Sequence, residues 1–356
     1  MNVITRKRGL AGMAVIGAAG MILAGCAAAP DETETPVEEV DYLACAVSDE
    51  GSWNDKSFNE AAYEGLLKAQ DELGVQVDDA ESHSIEDFEP NLSAMIANGC
   101  DVTFAVGFNL VGPVNEAAAA NPEMNFVTID GWSEGNDNLK PIEYATQESS
   151  YLAGYLAAAY STSKVVGTYG GMNIPGVTPF MDGFYYGAKA YEKETGTAVT
   201  VLGWDPAKPD QGDFVGNFAD TGIAKSISAG QIEKGADVIF PVAGSLFTAT
   251  SEAINESGKD IVFIGVDKDI ALTSPEYASQ VLTSVEKKMT DAVFDVIKEA
   301  LDSGSFSGEA YLGTLANNGT GLSEFYDFDS KIGDDIKQKL EELKAGIIDG
   351  SIDPMA

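Results

Sequence analysis

Three aspartates stand where short apolar runs end: Asp49 just past Tyr42–Val47, Asp130 after Asn125–Ile129 and Asp267 after Ile261–Val266. Other runs end on Gly107-Phe108-Asn109, Gly170-Gly171-Met172-Asn173 and Ala243-Gly244-Ser245. A single acid in such a place more often closes a turn or caps a helix. Repeated over six runs, carboxylates, amides, glycines and an aromatic are what a site needs to hydrogen-bond a polar ligand and cover its flat face. Phe58 and Asn59 offer a further ring and amide, although by its place at a helix start alone Phe58 reads first as a core residue. Lys287 could be an anion contact, an i, i+4 partner of Asp291 or the partner of Asp267 in a structural salt bridge. His83 is the only histidine and no Cys/His cluster exists, so neither an activated nucleophile nor a metal centre is expected. Catalytic residues and cofactors are accordingly expected to be absent, and a nucleoside-cleaving enzyme is the weakest reading. Gly167-x-x-Gly170-Gly171 fits neither of the glycine-rich phosphate-loop spacings and reads as a turn.

The elements that must hold these residues follow from the period. The runs Tyr42–Val47, Val102–Val106, Asn125–Ile129, Lys164–Tyr169, Val238–Val242 and Ile261–Val266 are continuously apolar, and helical stretches lie between them, among them Phe58–Leu73, Tyr151–Tyr160, Asp182–Thr195 and Leu246–Ser257. Strands alternating with helices predict α/β architecture with parallel sheets covered on both faces. Open parallel sheets bind ligands at their carboxyl ends, which is where the polar residues collect. Ser57 or Asp55 can cap the helix that starts at Phe58. With 356 residues, the chain is long enough for two cores.

The amino terminus sets the compartment. Arg6-Lys7-Arg8 precede seventeen uncharged residues, Gly9 to Gly25. Such a run spans only about 26 Å as a helix, which predicts a secretory signal rather than a membrane span. Leu23-Ala24-Gly25-Cys26 resembles a bacterial lipoprotein signal, which implies a Cys26 that carries lipid (palmitate among its chains) and anchors the mature chain to the cell membrane, facing the extracellular or periplasmic side. Residues 1–25 would be the signal and 26–40 an acidic tether with no helical or strand period. Without the signal the chain carries 18 basic against 57 acidic residues, which argues against a nucleic-acid partner. Cys45 and Cys100 could pair in an exported protein, but each lies in or beside an apolar run, and two buried thiols is the expected reading.

Asp55-x-Ser57-Phe58-Asn59 followed by Glu64-Gly65 resembles the opening motif of the basic membrane protein family, PnrA-like lipoproteins that serve ABC transporters as substrate-binding subunits. In the family's order follow Tyr151-Leu152-Ala153-Gly154, Gly183-Phe184-x-x-Gly187-Ala188, Gly235-Ala236-Asp237-Val238, Ala243-Gly244, Gly265-Val266-Asp267, Thr283-Ser284-Val285-Glu286-Lys287 and Asn317-Asn318-Gly319-x-Gly321. The resemblance implies a type I periplasmic-binding-protein fold, with two Rossmann-like lobes joined by three crossovers: lobe 1 from 41–146 and 279–305, lobe 2 from 147–278 and 306–356. It further implies a purine nucleoside (inosine, guanosine or adenosine) as ligand and a membrane permease as partner. Phe58 would stack on the purine with Asn59 beside it, Asp49 and Asp130 would bond polar edges, and Asp267, Lys287 and the Gly244 backbone would hold the ribose. Phe218 is the candidate second aromatic, with Phe108, Trp53 and Phe184 as rivals; Trp53 reads equally as a rim contact or a loop anchor. The same fold with a sugar or a signalling ligand is the alternative.

Overall fold

The computed structural model describes residues 37–356, and the signal, Cys26 and most of the tether lie outside them. Ten strands have helices between all successive pairs but β4 and β5: β1 (Leu43–Ser48), β2 (Gln76–Ala80), β3 (Val102–Val106), β4 (Asn125–Ile129), β5 (Leu139–Tyr144), β6 (Val165–Gly170), β7 (Thr200–Leu202), β8 (Val238–Val242), β9 (Val262–Asp267) and β10 (Val281–Lys287). Short strands β11 (Tyr311–Gly313) and β12 (Thr320–Leu322) follow. The helices are α1 (Phe58–Leu73), α2 (Phe88–Asn98), α3 (Val111–Ala120), α4 (Thr146–Tyr160), α5 (Thr178–Thr195), α6 (Thr221–Glu233), α7 (Phe247–Ser257), α8 (Ile270–Thr273), α9 (Met289–Ser303) and α10 (Asp334–Ile348).

Two six-stranded sheets result, ordered β11-β5-β4-β3-β1-β2 and β12-β10-β9-β8-β6-β7. All pairs are parallel except β10 with β12. β3 and β8 are buried at every position, as continuous apolar runs covered by helices on both faces should be. The molecule is thus a pair of α/β lobes of the type I periplasmic-binding-protein kind, each with apolar clusters on both sides of its sheet.

The chain changes lobe three times, between β5 and α4, between β10 and α9, and between β11 and β12. This corrects the expected boundaries. β10, expected in lobe 1, pairs with β9 in lobe 2, whereas α9 packs into the core of lobe 1 and β11 extends its sheet. The physical reason is that a parallel strand is completed before the chain leaves its carboxyl end, so the crossover follows Lys287 instead of preceding Val281.

Glycines set the closest helix contact in lobe 2. A Cβ on Gly154 of α4 would run into the Phe184 carbonyl, and one on Gly187 of α5 into the Tyr151 carbonyl, so the two backbones touch where the sequence has neither side chain. In lobe 1, Cys45 and Cys100 form a disulfide with Cα atoms 6.0 Å apart, which overturns the expectation of two free thiols. Cys100 sits just before β3, which pairs with β1 and so places it beside Cys45. A buried thiol and a buried disulfide need the same apolar surroundings, so the run alone could not separate them.

Candidate ligand cleft between the lobes

A cleft of about 570 Å³ opens between the carboxyl ends of the two sheets, within the range of small-molecule sites. Of the residues singled out from the sequence, Asp49, Phe58, Asn59, Asp130, Phe218, Gly244, Asp267 and Lys287 line it, and Trp53 does not. Trp53 is 6% exposed. Its ring stacks on Tyr63 at 5.0 Å and its Nε1 donates to Asp79 at 2.7 Å, so it anchors the loop into the lobe 1 core.

In lobe 1, the loop after β1 and the start of α1 form one hydrogen-bonded unit. Ser57 occupies the N-cap position without capping, whereas Asp55 accepts the N–H groups of Ser57 (2.8 Å), Asn59 (3.0 Å) and Glu60 (3.1 Å). Asp55 therefore satisfies the helix start, and the Ser57 hydroxyl is free to reach across the cleft. Asn59 Nδ2 donates to Asp49 (3.0 Å) and to Asp55 (3.2 Å), which fixes its amide, while Asn59 Oδ1 is buried without a partner. Burial pushes the Asp49 carboxyl up to about 6, against the pull of the Gly51 N–H and the Asn59 amide.

Asp130 and Asp267 occupy corresponding places, at the ends of β4 and β9. Both have left-handed backbones, φ 59° and φ 68°, which aspartate tolerates better than most residues. Each is bonded to the opposite lobe. Asp130 accepts from Lys287 Nζ at 2.5 Å, and Asp267 Oδ2 accepts from the Ser57 hydroxyl at 2.7 Å. Burial raises Asp267 to about 6, with Lys287 and Ser57 pulling the other way. Lys287 is buried, its Nζ 5.0 Å from the centre of the Phe58 ring and 5.2 Å from that of Phe180. It is therefore a cation held between a carboxylate and two aromatic faces, one from each lobe. It does not pair with Asp291, which bonds Lys68.

Among the rivals for the second aromatic, Phe184 is excluded because it is fully buried against Phe240, with ring centres 5.2 Å apart. Phe218 is 37% exposed on a loop whose ring lies against Gly171, and Phe108 also lines the cleft, its ring tilted against Trp132. Phe180, Met172, Ile174 and Val177 form an apolar wall from lobe 2. Met172 was among the polar strand ends. Phe180 lies in the first turn of α5, which begins at Thr178 with Pro179 next; that proline was the available signal for a start earlier than Asp182. Asp269 caps α8 and accepts from the Tyr326 hydroxyl, so it forms no acidic pair with Asp267. Among the described residues no cluster of His, Cys, Asp or Glu could hold a metal ion.

Residues 43–352 match the family described as ABC transporter substrate-binding protein PnrA-like. The chain belongs to that family. It is 28% identical to the ABC transporter nucleoside-binding protein BmpA of Lactococcus lactis over 98% of both chains. It is 31% identical to a lipoprotein of Pyrococcus abyssi, over 91% of this chain and 78% of the relative. A solved ABC transporter solute-binding protein from Aeropyrum pernix superposes with a TM-score of 0.79 at 25% identity, covering 88% of this chain and 92% of that one. PnrA-like proteins bind solutes and are not enzymes, and a solute-binding subunit implies a ligand and a permease. Polar and aromatic side chains from both lobes line the cleft, and three crossovers of the chain join the lobes.

Proposed function

We propose that the chain is a lipid-anchored extracellular capture subunit that binds purine nucleosides, inosine, guanosine or adenosine, between its lobes and delivers them to a membrane permease. The observation that carries this reading is the facing of Phe58 and Lys287 with Asp267 and Asp130 in one cleft. A purine needs an aromatic face and a few donors and acceptors, and a ribose diol suits a carboxylate. Asp267 has one oxygen held by Ser57, which leaves the other for a ligand hydroxyl. Asp49 and Asn59 would meet the polar edge of the base, Phe58 one face and Phe218 the other, with the Gly244 backbone beside the ribose. The Lactococcus relative, named for nucleoside binding, supports the ligand class, and the Pyrococcus relative, named a lipoprotein, supports the anchor at Cys26. Closure follows from ligand contacts to both lobes, which favour the closed state by their differential affinity.

The test is calorimetric titration of the chain from Ala27, unfolded and refolded to strip carried-over ligand, with adenosine, guanosine, inosine, uridine and ribose. One-to-one binding of purine nucleosides with Kd at or below the micromolar range, about −8 to −10 kcal/mol, is expected. Heat from ribose alone would give the cleft to a sugar.

A further inference from the structure

Outside the cleft lining, a second set of charges spans the two lobes. Lys268 of lobe 2 donates to Glu60 Oε1 at 2.6 Å and to Glu64 Oε1 at 2.8 Å, both on α1 of lobe 1. The lysine is 7% exposed, and the glutamate side chains 25% and 44%. Two of the three charges, Lys268 and Glu60, are one residue from the cleft lining, and Glu64 lies one helical turn beyond Glu60. Lys268 follows Asp267 in a three-residue turn closed by its own N–H on the Val266 carbonyl (2.8 Å), and Glu60 follows Asn59. Asp267 thus faces the cleft while its neighbour grips the outer flank of the same helix.

The arrangement is informative because each half is poorly stable alone. Glu60 and Glu64 are like charges at i, i+4, which repel on an isolated helix. Lys268 would be fully hydrated if the lobes parted. Bringing them together places one cation between two anions, and only a closed molecule allows it. Lys56 with Glu276 also spans the lobes, but those side chains are 44% and 52% exposed, where such pairs contribute little.

We propose that Lys268, with Glu60 and Glu64, is an electrostatic latch that sets how long the lobes stay closed on a solute that none of the three touches. The proposal rests on capture by closure and not on which solute is captured. Since the latch adds the same free energy to the closed state whatever is bound, it scales every affinity by one factor and acts on the dissociation rate.

Lys268→Gln should weaken each nucleoside that binds by a common factor of about three to ten, carried by faster dissociation and with a shallower dependence on NaCl. The Glu60→Gln/Glu64→Gln chain should lose as much, and adding Lys268→Gln to it should cost nothing further. An affinity within about twofold of the parent, or a full loss from Lys268→Gln when both glutamates are already neutral, overturns the latch. A second readout needs no ligand: acylation of Lys268 by an N-hydroxysuccinimide ester, followed by mass spectrometry, should be slower than that of exposed Lys298 and should accelerate in Glu60→Gln/Glu64→Gln. Unchanged acylation overturns the proposal. Silence towards every nucleoside, with acylation behaving as expected, would instead remove the nucleoside reading and leave the latch standing.

Discussion

Matched strand for strand, the lobes repeat one topology, so β4 corresponds to β9, β3 to β8 and β1 to β6. The match extends to chemistry at β4 and β9, each followed or ended by an aspartate with left-handed backbone that bonds the other lobe. It breaks at β1 and β6. After β1 comes a hydrogen-bonded knot of Asp49, Asp55 and Asn59; after β6 come Gly171, Met172 and Ile174, leading to Phe180. The segment after β1 therefore offers a polar, directional surface and the segment after β6 an apolar wall. The shared aspartates bond across the lobes, and the loops that follow β1 and β6 differ in chemistry.

The largest expected effect falls on the shared part. Lys287→Met leaves Asp130 and Asp267 buried without their cation, and thermal or urea unfolding should show a loss of about 3 kcal/mol. Next come the two aromatic faces. Phe58→Ala should weaken nucleoside binding by about 2 kcal/mol from lost stacking and burial. Phe180→Ala should cost folding as well as binding, since Phe180 is 1% exposed; equal and purely binding losses would erase the distinction between the lobes. Of similar size but opposite sign for stability is the carboxylate effect. Asp49 and Asp267 are each held near 6, above the ordinary carboxylate range. Between about pH 4 and 6 the folded chain binds protons that the unfolded chain does not, so the contribution of these groups is fully present below about 4 and is lost as pH rises through 6. Asp49→Asn or Asp267→Asn should therefore stabilise the ligand-free protein at pH 7 by about 1–3 kcal/mol while weakening the ligand, and should flatten melting temperature against pH over that window. The smallest effect is expected from Lys56→Gln, at most about 0.5 kcal/mol, because its partner Glu276 is exposed.

Strands buried on both faces were legible as continuous apolar runs, and the carboxyl-end rule then pointed to Asp49, Asp130, Gly244 and Asp267. Edge strands were not: Gln76–Ala80 is half-exposed and carries Asp78 and Asp79, so it has neither a continuous nor an apolar run. Lys287 was found by the family motif, but its partner was not legible, because Asp130 lies in the other lobe and local spacing could propose only Asp291 or Asp267. Trp53 misled for a similar reason. Its place in a loop beside Asp49 suggests the cleft, and only the fold brings Tyr63 and Asp79 to it. Met172 stood in one of the run ends, but the rest of the apolar wall of lobe 2 escaped because Ile174, Val177 and Phe180 look like ordinary core residues until the opposite lobe is in place.

The most direct test of an account in which both lobes hold one nucleoside is a crystal structure of the refolded chain grown with inosine. The account predicts the base against Phe58 with its polar edge at Asp49 and Asn59, and the ribose hydroxyls on Asp267 and Lys287. Inosine bound outside the cleft, or touching one lobe alone, would contradict it.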